Sequence, residues 1–489
     1  CVVSRSQAFT TEPYRAPTSH RIRLGATRDG RISAFSHEAR ELTSRTDNYA
    51  VGGTATTARL YGYGTVTSNV ELVKADRQTP AYMRAPPELP YVFPVESALD
   101  ELSYELGIDP IELRRRNDSE REPIEGKPFT SRHLTACYDA AAEAFNWLAR
   151  NPRPGSMRDG EWLIGMGCAT AVYPTHIAAA TARVRLRPNG RVLVQSASHE
   201  IGTGIRTVAG QMAAERLGVS CDAVQVEMGD SSLPPAPVSG GSNSTASVCS
   251  AVLLACDRIR ARLFEAAAGS GPLAGKRPAE LDLRNGAVVA TDGRSQGLAD
   301  VFKALGTGAL EEYAEFIPDG APANAVQLLY GGKTTMTGGA SGKKMKFGFG
   351  AELVEVRIHA RTREIRVPRL VGAFAAGRIM NTRTARSQLM GGMIWGMSAG
   401  LLEATELDER VARTVNRDLQ DYLVPVNADI TDVQIIMLPE VDHEVNPAGV
   451  KGIGELANVG TNAAIANAVF HATGKRVREL PIRLENLLT

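Results

Sequence analysis

The chain has 489 residues, 43% hydrophobic and 22% charged, which is enough for roughly three domains of about 150 residues or two larger ones and rules out a small disulfide module or a disordered tail. Fifty-five Lys and Arg against 54 Asp and Glu leave a formal charge of +1, and no long basic block points to a nucleic-acid partner. The six cysteines, Cys1, Cys137, Cys168, Cys221, Cys249 and Cys256, include no C-x-x-C pair, so spacing offers neither a zinc site nor a ferredoxin-type cluster.

The chain opens Cys1-Val2-Val3 with no Met, basic n-region or apolar h-region, and reads as a fragment or processed chain without a secretory signal of its own. Ile22 and Leu24 alternate before Asp29-Gly30, with Ile32 and Phe35 after it, which predicts a hairpin. Pro80, Pro86 and Pro87 forbid a regular helix over 79–87. A helix follows, with Glu96 in its first turn, Ala98, Leu99, Leu102 and Leu106 at helical spacing, and Gly107 as its stop. Asp109-Pro110 opens a short helix that ends in Arg114-Arg115-Arg116, and another helix covers 136–147. Residues 151–160, rich in Pro, Gly and charge, mark a domain boundary and divide the chain into 1–155 and 156–489.

Beyond it, Val184 and Leu186 before Asn189-Gly190, with Val192 and Val194 after, predict a second hairpin. Val354, Val356 and Ile358 followed by Ile365 and Val367 predict a third, turning through Arg361-Thr362-Arg363 without a glycine. The apolar run 389–402 falls short of the about 20 residues that span a bilayer and reads as a buried helix. Its Gly392, Gly396 and Gly400 leave one face bare, open to close approach by another helix or by a cofactor. No repeat is evident, and the fold class that emerges is α+β, with mixed sheets and interleaved helices.

Three segments could carry chemistry. In 239–247, Gly241, Ser242, Asn243, Ser244, Thr245 and Ser247 lead into a helix with Val248, Val252, Ala255, Ile259 and Leu263 on one face. Unpartnered N–H groups and hydroxyls at a helix start suit an anion; an ordinary Ser or Asn cap is the plainer alternative. Gly202-Thr203-Gly204 follows a strand and His199-Glu200, but Thr203 stands where H-E-x-x-H needs its second histidine. Finally, Gly449-Val450-Lys451-Gly452-Ile453-Gly454-Glu455 presents one carboxylate beside Ile453, Leu456 and Val459, ahead of a small-residue helix closed by Gly474. A carboxylate in an apolar surrounding is a usable general base near neutral pH; a glutamate that only favours a helix dipole is the alternative.

Taken together, 83–117 (from MRAPPE to LRRRN), HEIGTGIRT, GGSNSTAS, FGAELVEV, GRIMNTRTARSQLMGGMIWG and GVKGIGE stand in an order that resembles the molybdenum-cofactor-binding subunit of the xanthine dehydrogenase and aldehyde oxidoreductase family, with the bacterial three-subunit aldehyde oxidoreductases the nearest likeness. The resemblance implies family-like molybdopterin-binding domains, with 1–155 the C-terminal part of the first and 156–489 the second. It implies a molybdenum–pterin cofactor, as molybdopterin or its cytosine dinucleotide form, whose metal is held by the pterin dithiolene with no protein ligand. Glu455 would be the base and Arg84 would orient substrate. Gly202, Thr203, Gly204, Gly241, Ser242, Asn243, Ser244, Thr245, Ser247, Gln388, Lys451 and Gly452 would hold the pterin and its phosphates. The implied reaction is oxidative hydroxylation, of an aldehyde or alternatively of an N-heterocycle such as xanthine, nicotinate or quinoline; a non-catalytic fragment is the other alternative. Iron–sulfur clusters and FAD would sit on partner subunits, in the cytoplasm, or in the periplasm where a partner carries the export signal. Two departures stand out. Thr203 replaces the glutamine of eukaryotic members, and Ala85 stands where the carbon monoxide dehydrogenases carry a cysteine. The family's first domain also begins earlier, with a glycine-rich segment that this sequence does not contain.

Overall fold

The computed structural model describes residues 2–488, so Cys1 lies outside the described residues. The first hairpin forms as its alternation predicts, β1 (Thr18–Ala26) pairing antiparallel with β2 (Ile32–Ser44), and β3 (Thr65–Ala75) joins β2 in parallel. Residues 79–87 stay irregular. Helix α1 (Glu88–Leu106) begins well before the expected start, so Glu88 and not Glu96 occupies the first turn. Pro87 and Pro90 fall where backbone N–H groups need no helical partner, so prolines that block a helix upstream open this one; Pro94 is carried inside it. Gly107 closes it at φ 65. Asp109 caps α2 (Pro110–Arg116) by accepting from the N–H groups of Ile111 and Glu112, and α3 (Leu134–Phe145) follows.

Two sheets dominate the rest. Strand β4 (Trp162–Pro174) belongs to one. The other contains β5 (Ala180–Leu186), β6 (Val192–Ser196) and, after α4 (Ile205–Leu217), β7 (Val224–Met228). Then come α5 (Ser244–Gly269), β8 (Leu310–Phe316), β9 (Phe347–His359), β10 (Ile365–Ala375), α6 (Thr382–Leu401), β11 (Asp432–Met437) and α7 (Thr461–Thr473). The five-stranded sheet runs β11–β10–β9–β4 with Arg158–Asp159 at its edge, and the four-stranded sheet runs β8–β5–β6–β7. Both predicted hairpins are present, and in the β9–β10 turn Arg363 takes φ 62, the place a glycine often fills. One apolar core joins Phe35, Leu99 and Phe145 to Val172, Phe349, Phe374 and Ile465, residues on both sides of 151–160. A second core gathers Val194, Met212, Val252 and Ile259 under the four-stranded sheet.

The bare face of α6 is filled by protein. A Cβ at Gly392 would lie 2.9 Å from the Ala457 carbonyl carbon, and one at Gly396 would lie 2.8 Å from Thr461 Cβ, so the residues leading into α7 and its first turn take the space left open for a cofactor. Glu352 on β9 is fully buried, accepts a bond from the Thr461 hydroxyl, and is pushed up by burial to about 8. Its carboxyl stays protonated in the fold while the unfolded chain ionises it, so stability is full below the ordinary carboxyl range and is lost as pH rises toward 8, by at most about 1.4 kcal/mol per pH unit. Glu88, likewise pushed up by burial to about 8, adds a similar slope. Glu352→Gln is therefore expected to flatten, but not abolish, the fall in melting temperature between pH 5 and 8 measured by calorimetry.

Candidate active site

The loop 449–455 is sewn to the end of β10. Gly377 and Val450 form an antiparallel bridge, the Lys451 N–H donates to Ala376 O at 3.2 Å, and the Arg378 N–H donates to Gly449 O at 2.8 Å. Gly452 lets this loop meet the one before α5, since a Cβ there would sit 2.7 Å from Ser242 Cβ. Glu455 leaves the loop with its carboxylate among donors. The Ala85 N–H reaches Oε1 at 3.1 Å, the Ser242 hydroxyl reaches Oε2 at 3.3 Å, and the Tyr173 phenol at the end of β4 also donates to Oε2. The apolar surrounding expected from sequence is not what the fold builds, because Leu456 and Val459 turn into the core.

Arg84 is pinned across the same cleft. Its Nε donates to Gly454 O at 2.6 Å, its Nη2 donates to Gln388 O at 2.7 Å, and the guanidinium lies 5.7 Å from the Trp395 ring. Burial lowers its pKa and the nearby Glu455 works the other way. Burial, with Glu455 and Glu88 beside it, pushes the Tyr173 phenol well above its ordinary value, so it remains a donor. Burial also lowers His176, against Glu455.

Asn243 precedes α5 without capping it. Its amide turns back to donate to Val238 O at 2.9 Å and Gly240 O at 2.6 Å, so the Ser or Asn cap considered from sequence is not formed by this side chain. Gly241 and Ser242 take φ 66 and 54 to make the turn, and Ser239 ties it to His199 O at 3.0 Å. Ser247 is spent inside the fold, donating to Asn243 Oδ1 at 3.1 Å and accepting from the Ala178 N–H at 3.0 Å, while Ser244 bonds Ser239 at 3.3 Å and Thr245 is half-buried.

At 199–204 the Glu200 carboxylate accepts from the N–H groups of Gly202 and Gly204, both at 2.9 Å, and of Arg206 at 3.2 Å. Burial works against its ionisation, but these bonds, with that of Thr203, hold the carboxyl below its ordinary value. This turn rests on the start of α6, where a Cβ at Gly204 would come 2.9 Å from the Thr384 methyl. Lys451 points elsewhere: its ammonium is buried with Glu440 at 2.8 Å, Asp442 at 3.4 Å and the Ser131 hydroxyl.

The fold thus gathers Arg84, Gln388, Ser242, Gly452 and Glu455, with Gly241 and Asn243 in the same turn. The side chains of Lys451 and Ser247 are committed to other contacts. Sequence reasoning missed Tyr173, His176 and the Ala85 N–H; the one usable signal was an aromatic soon after the small-residue run Gly167 to Ala171. The buried hydroxyls of Thr175, directly after β4, and of Ser198, directly before the 199–204 turn, lack hydrogen-bond partners. Orphan hydroxyls, an uncapped helix start and glycines whose Cβ atoms would block the cleft fit a polar, anionic cofactor.

Comparison with known proteins agrees. Two families, both described as "Molybdopterin cofactor-binding domain", match residues 140–431 and 1–118. The aldehyde oxidoreductase molybdenum-binding subunit PaoC of Escherichia coli (strain K12) is 37% identical over 481 residues, 97% of this chain and 61% of that protein. The putative xanthine dehydrogenase molybdenum-binding subunit XdhA of the same strain is 26% identical over 510 residues, 99% of this chain and 64% of that one. The chain therefore spans about three fifths of the length of these relatives. Quinoline 2-oxidoreductase from Pseudomonas putida 86 has the same fold, with a TM-score of 0.87 at 21% identity, covering 99% of this chain and 63% of that one.

Proposed function

The chain belongs to the molybdopterin cofactor-binding subunits of the xanthine dehydrogenase and aldehyde oxidoreductase family, and from that premise we propose that it serves the oxidative hydroxylation of an aldehyde, R-CHO + H2O giving R-COOH, two protons and two electrons, within a larger enzyme. The observation that carries this proposal is the convergence of Arg84, Ser242 and Glu455 on one cleft. When bound there, a molybdenum–pterin cofactor, as molybdopterin or its cytosine dinucleotide, supplies the two-electron oxidation and the oxygen taken from water.

This chain's residues do the rest. Glu455 takes up a proton at a carboxylate oxygen, held in place by the Ala85 N–H and the Ser242 and Tyr173 hydroxyls. Arg84, fixed by two carbonyls, orients the substrate carbonyl and answers the negative charge that develops on it. Helix α5 offers its uncapped start, beside Ser242, Ser244 and Thr245, to cofactor phosphate. Gly452→Val would press Ser242 out of the turn, and the expected result is a large loss of bound molybdenum and pterin while the fold, read by circular dichroism, persists.

The division into 1–155, closing a first cofactor-binding domain, and 156–489, forming a second, belongs to the same proposal. So do partner subunits carrying iron–sulfur clusters and FAD, since two electrons must leave at each turnover, and a cytoplasmic location. The aldehyde assignment leans on the 37% identity to PaoC, because a guanidinium pairs as well with a ring nitrogen as with a carbonyl. Its test compares benzaldehyde-type substrates with xanthine, nicotinate and quinoline on the assembled enzyme. An aldehyde preference in kcat/KM is expected, and a large preference for an N-heterocycle would overturn the substrate while leaving the cofactor site intact.

A further inference from the structure

Ala85 supplies the backbone N–H that meets Glu455 Oε1, and it does so at φ 52, a left-handed conformation that non-glycine residues seldom adopt. Something must hold it there. Arg15, on the segment leading into β1, donates through Nη2 to Arg84 O at 2.9 Å and through Nη1 to Ala85 O at 3.2 Å. Asn458 Nδ2 joins it on Arg84 O at 2.9 Å, and the Leu89 N–H joins it on Ala85 O at 3.2 Å. One planar fork therefore spans both carbonyls of the strained dipeptide, a task for which guanidinium is shaped and ammonium is not.

The cost of this arrangement is electrostatic. Both hydrogen-bond partners of Arg15 are neutral, so a part-buried cation is held without a carboxylate in direct contact. Burial pushes it down to about 10, against Glu403, Tyr49, Glu455 and Tyr422, and it is still charged at neutral pH. A desolvated charge spent on two carbonyls next to a carboxylate is costly for stability alone.

We propose that Arg15 is a positioning residue for Glu455, locking the 84–85 peptide so that the Ala85 N–H stays on Oε1 and setting a cation behind the carboxylate. This rests on Glu455 being the base. The charged and titratable groups that face Glu455 are the cations Arg15 and Arg84, the acid Glu88, the Tyr173 phenol and the His176 imidazole. Removing Arg15 releases the strained 84–85 peptide, so the Ala85 N–H no longer stays on Oε1 and the carboxylate loses the orientation that its role as base needs.

The test uses the assembled enzyme with Arg15→Gln and Arg15→Lys, each assayed for molybdenum content, kcat and KM. At unchanged metal content Arg15→Gln is expected to lower kcat about tenfold with KM little changed. Arg15→Lys, which keeps the charge without the fork, should leave kcat low. The displaced carboxylate can be read without turnover as a shifted carboxylate stretching band in the infrared difference between each protein and its Glu455→Gln counterpart. A wild-type kcat and an unshifted band in Arg15→Gln would overturn the proposal. If that variant fails to assemble, wild-type kcat in Arg15→Lys would overturn it instead. An active Glu455→Gln enzyme would mean that the base assignment, and not only the role of Arg15, is at fault.

Discussion

Glu455→Gln is expected to leave the cofactor bound and to lower turnover by about 10²- to 10⁴-fold. Glutamine has the same shape, and its carbonyl oxygen can still accept from the Ala85 N–H, which reaches Oε1 at 3.1 Å, so the cleft should keep its form. What it cannot do is take up a proton. Ser242 and the Tyr173 phenol both donate to the wild-type carboxylate, and neither is a substitute base, because an aliphatic hydroxyl does not ionise near neutral pH and burial, the largest influence on Tyr173, keeps its phenol protonated without Glu455. Steady-state kinetics together with molybdenum analysis of the same preparation separates a lost base from a lost cofactor.

Arg114→Met is expected to cost about 3–5 kcal/mol of stability, the usual result of stripping one partner from a buried ion pair. Arg114 Nε meets Glu96 Oε2 at 2.8 Å with neither side chain exposed, and its other nitrogens bond Pro110 O at 2.8 Å and Glu96 O at 3.1 Å. The Glu96 carboxylate also takes the Thr170 N–H at 2.8 Å and the Tyr61 hydroxyl at 2.7 Å, so it ties α1 and α2 to β4. Without Arg114 that carboxylate is left in the core with only neutral donors. Denaturant unfolding should show the loss, and adding Glu96→Gln should recover part of it. Arg115, which pairs with half-exposed Asp139, is the control, with an expected loss under about 1 kcal/mol on substitution.

The same pair shows where the sequence stopped being legible. The run Arg114-Arg115-Arg116 reads as a basic helix end favouring the dipole, and nothing local separates the buried member from its neighbours. What does so is Glu96 on α1, eighteen residues earlier, whose carboxylate is in turn tied to β4 through the Thr170 N–H. The three hairpins were readable because alternation and turns act locally, even where Arg363 had to stand in for glycine. The start of α1 was not, because Pro87 and Pro90 carry opposite meanings before and within a first turn. Much the same holds at the site. Glycine spacing marks 449–455 as a close-approach loop and singles out Glu455, but its donors come from 85, 173 and 242, which no spacing rule connects. Lys451 lies inside the most informative motif and yet serves a buried cluster with Glu440 and Asp442, because the strand-like bridge at Val450 turns it away.

The most direct test is molybdenum and pterin content per chain, measured on the purified complex after co-expression with its neighbouring gene products and the cofactor-synthesis machinery. The site described here predicts about one molybdenum and one pterin per chain, retained in Glu455→Gln and largely lost in Gly452→Val. Wild-type complex that assembles fully and carries neither molybdenum nor pterin, or Gly452→Val complex that carries both in full, would contradict the placement of the cofactor at the cleft lined by Ser242 and Glu455.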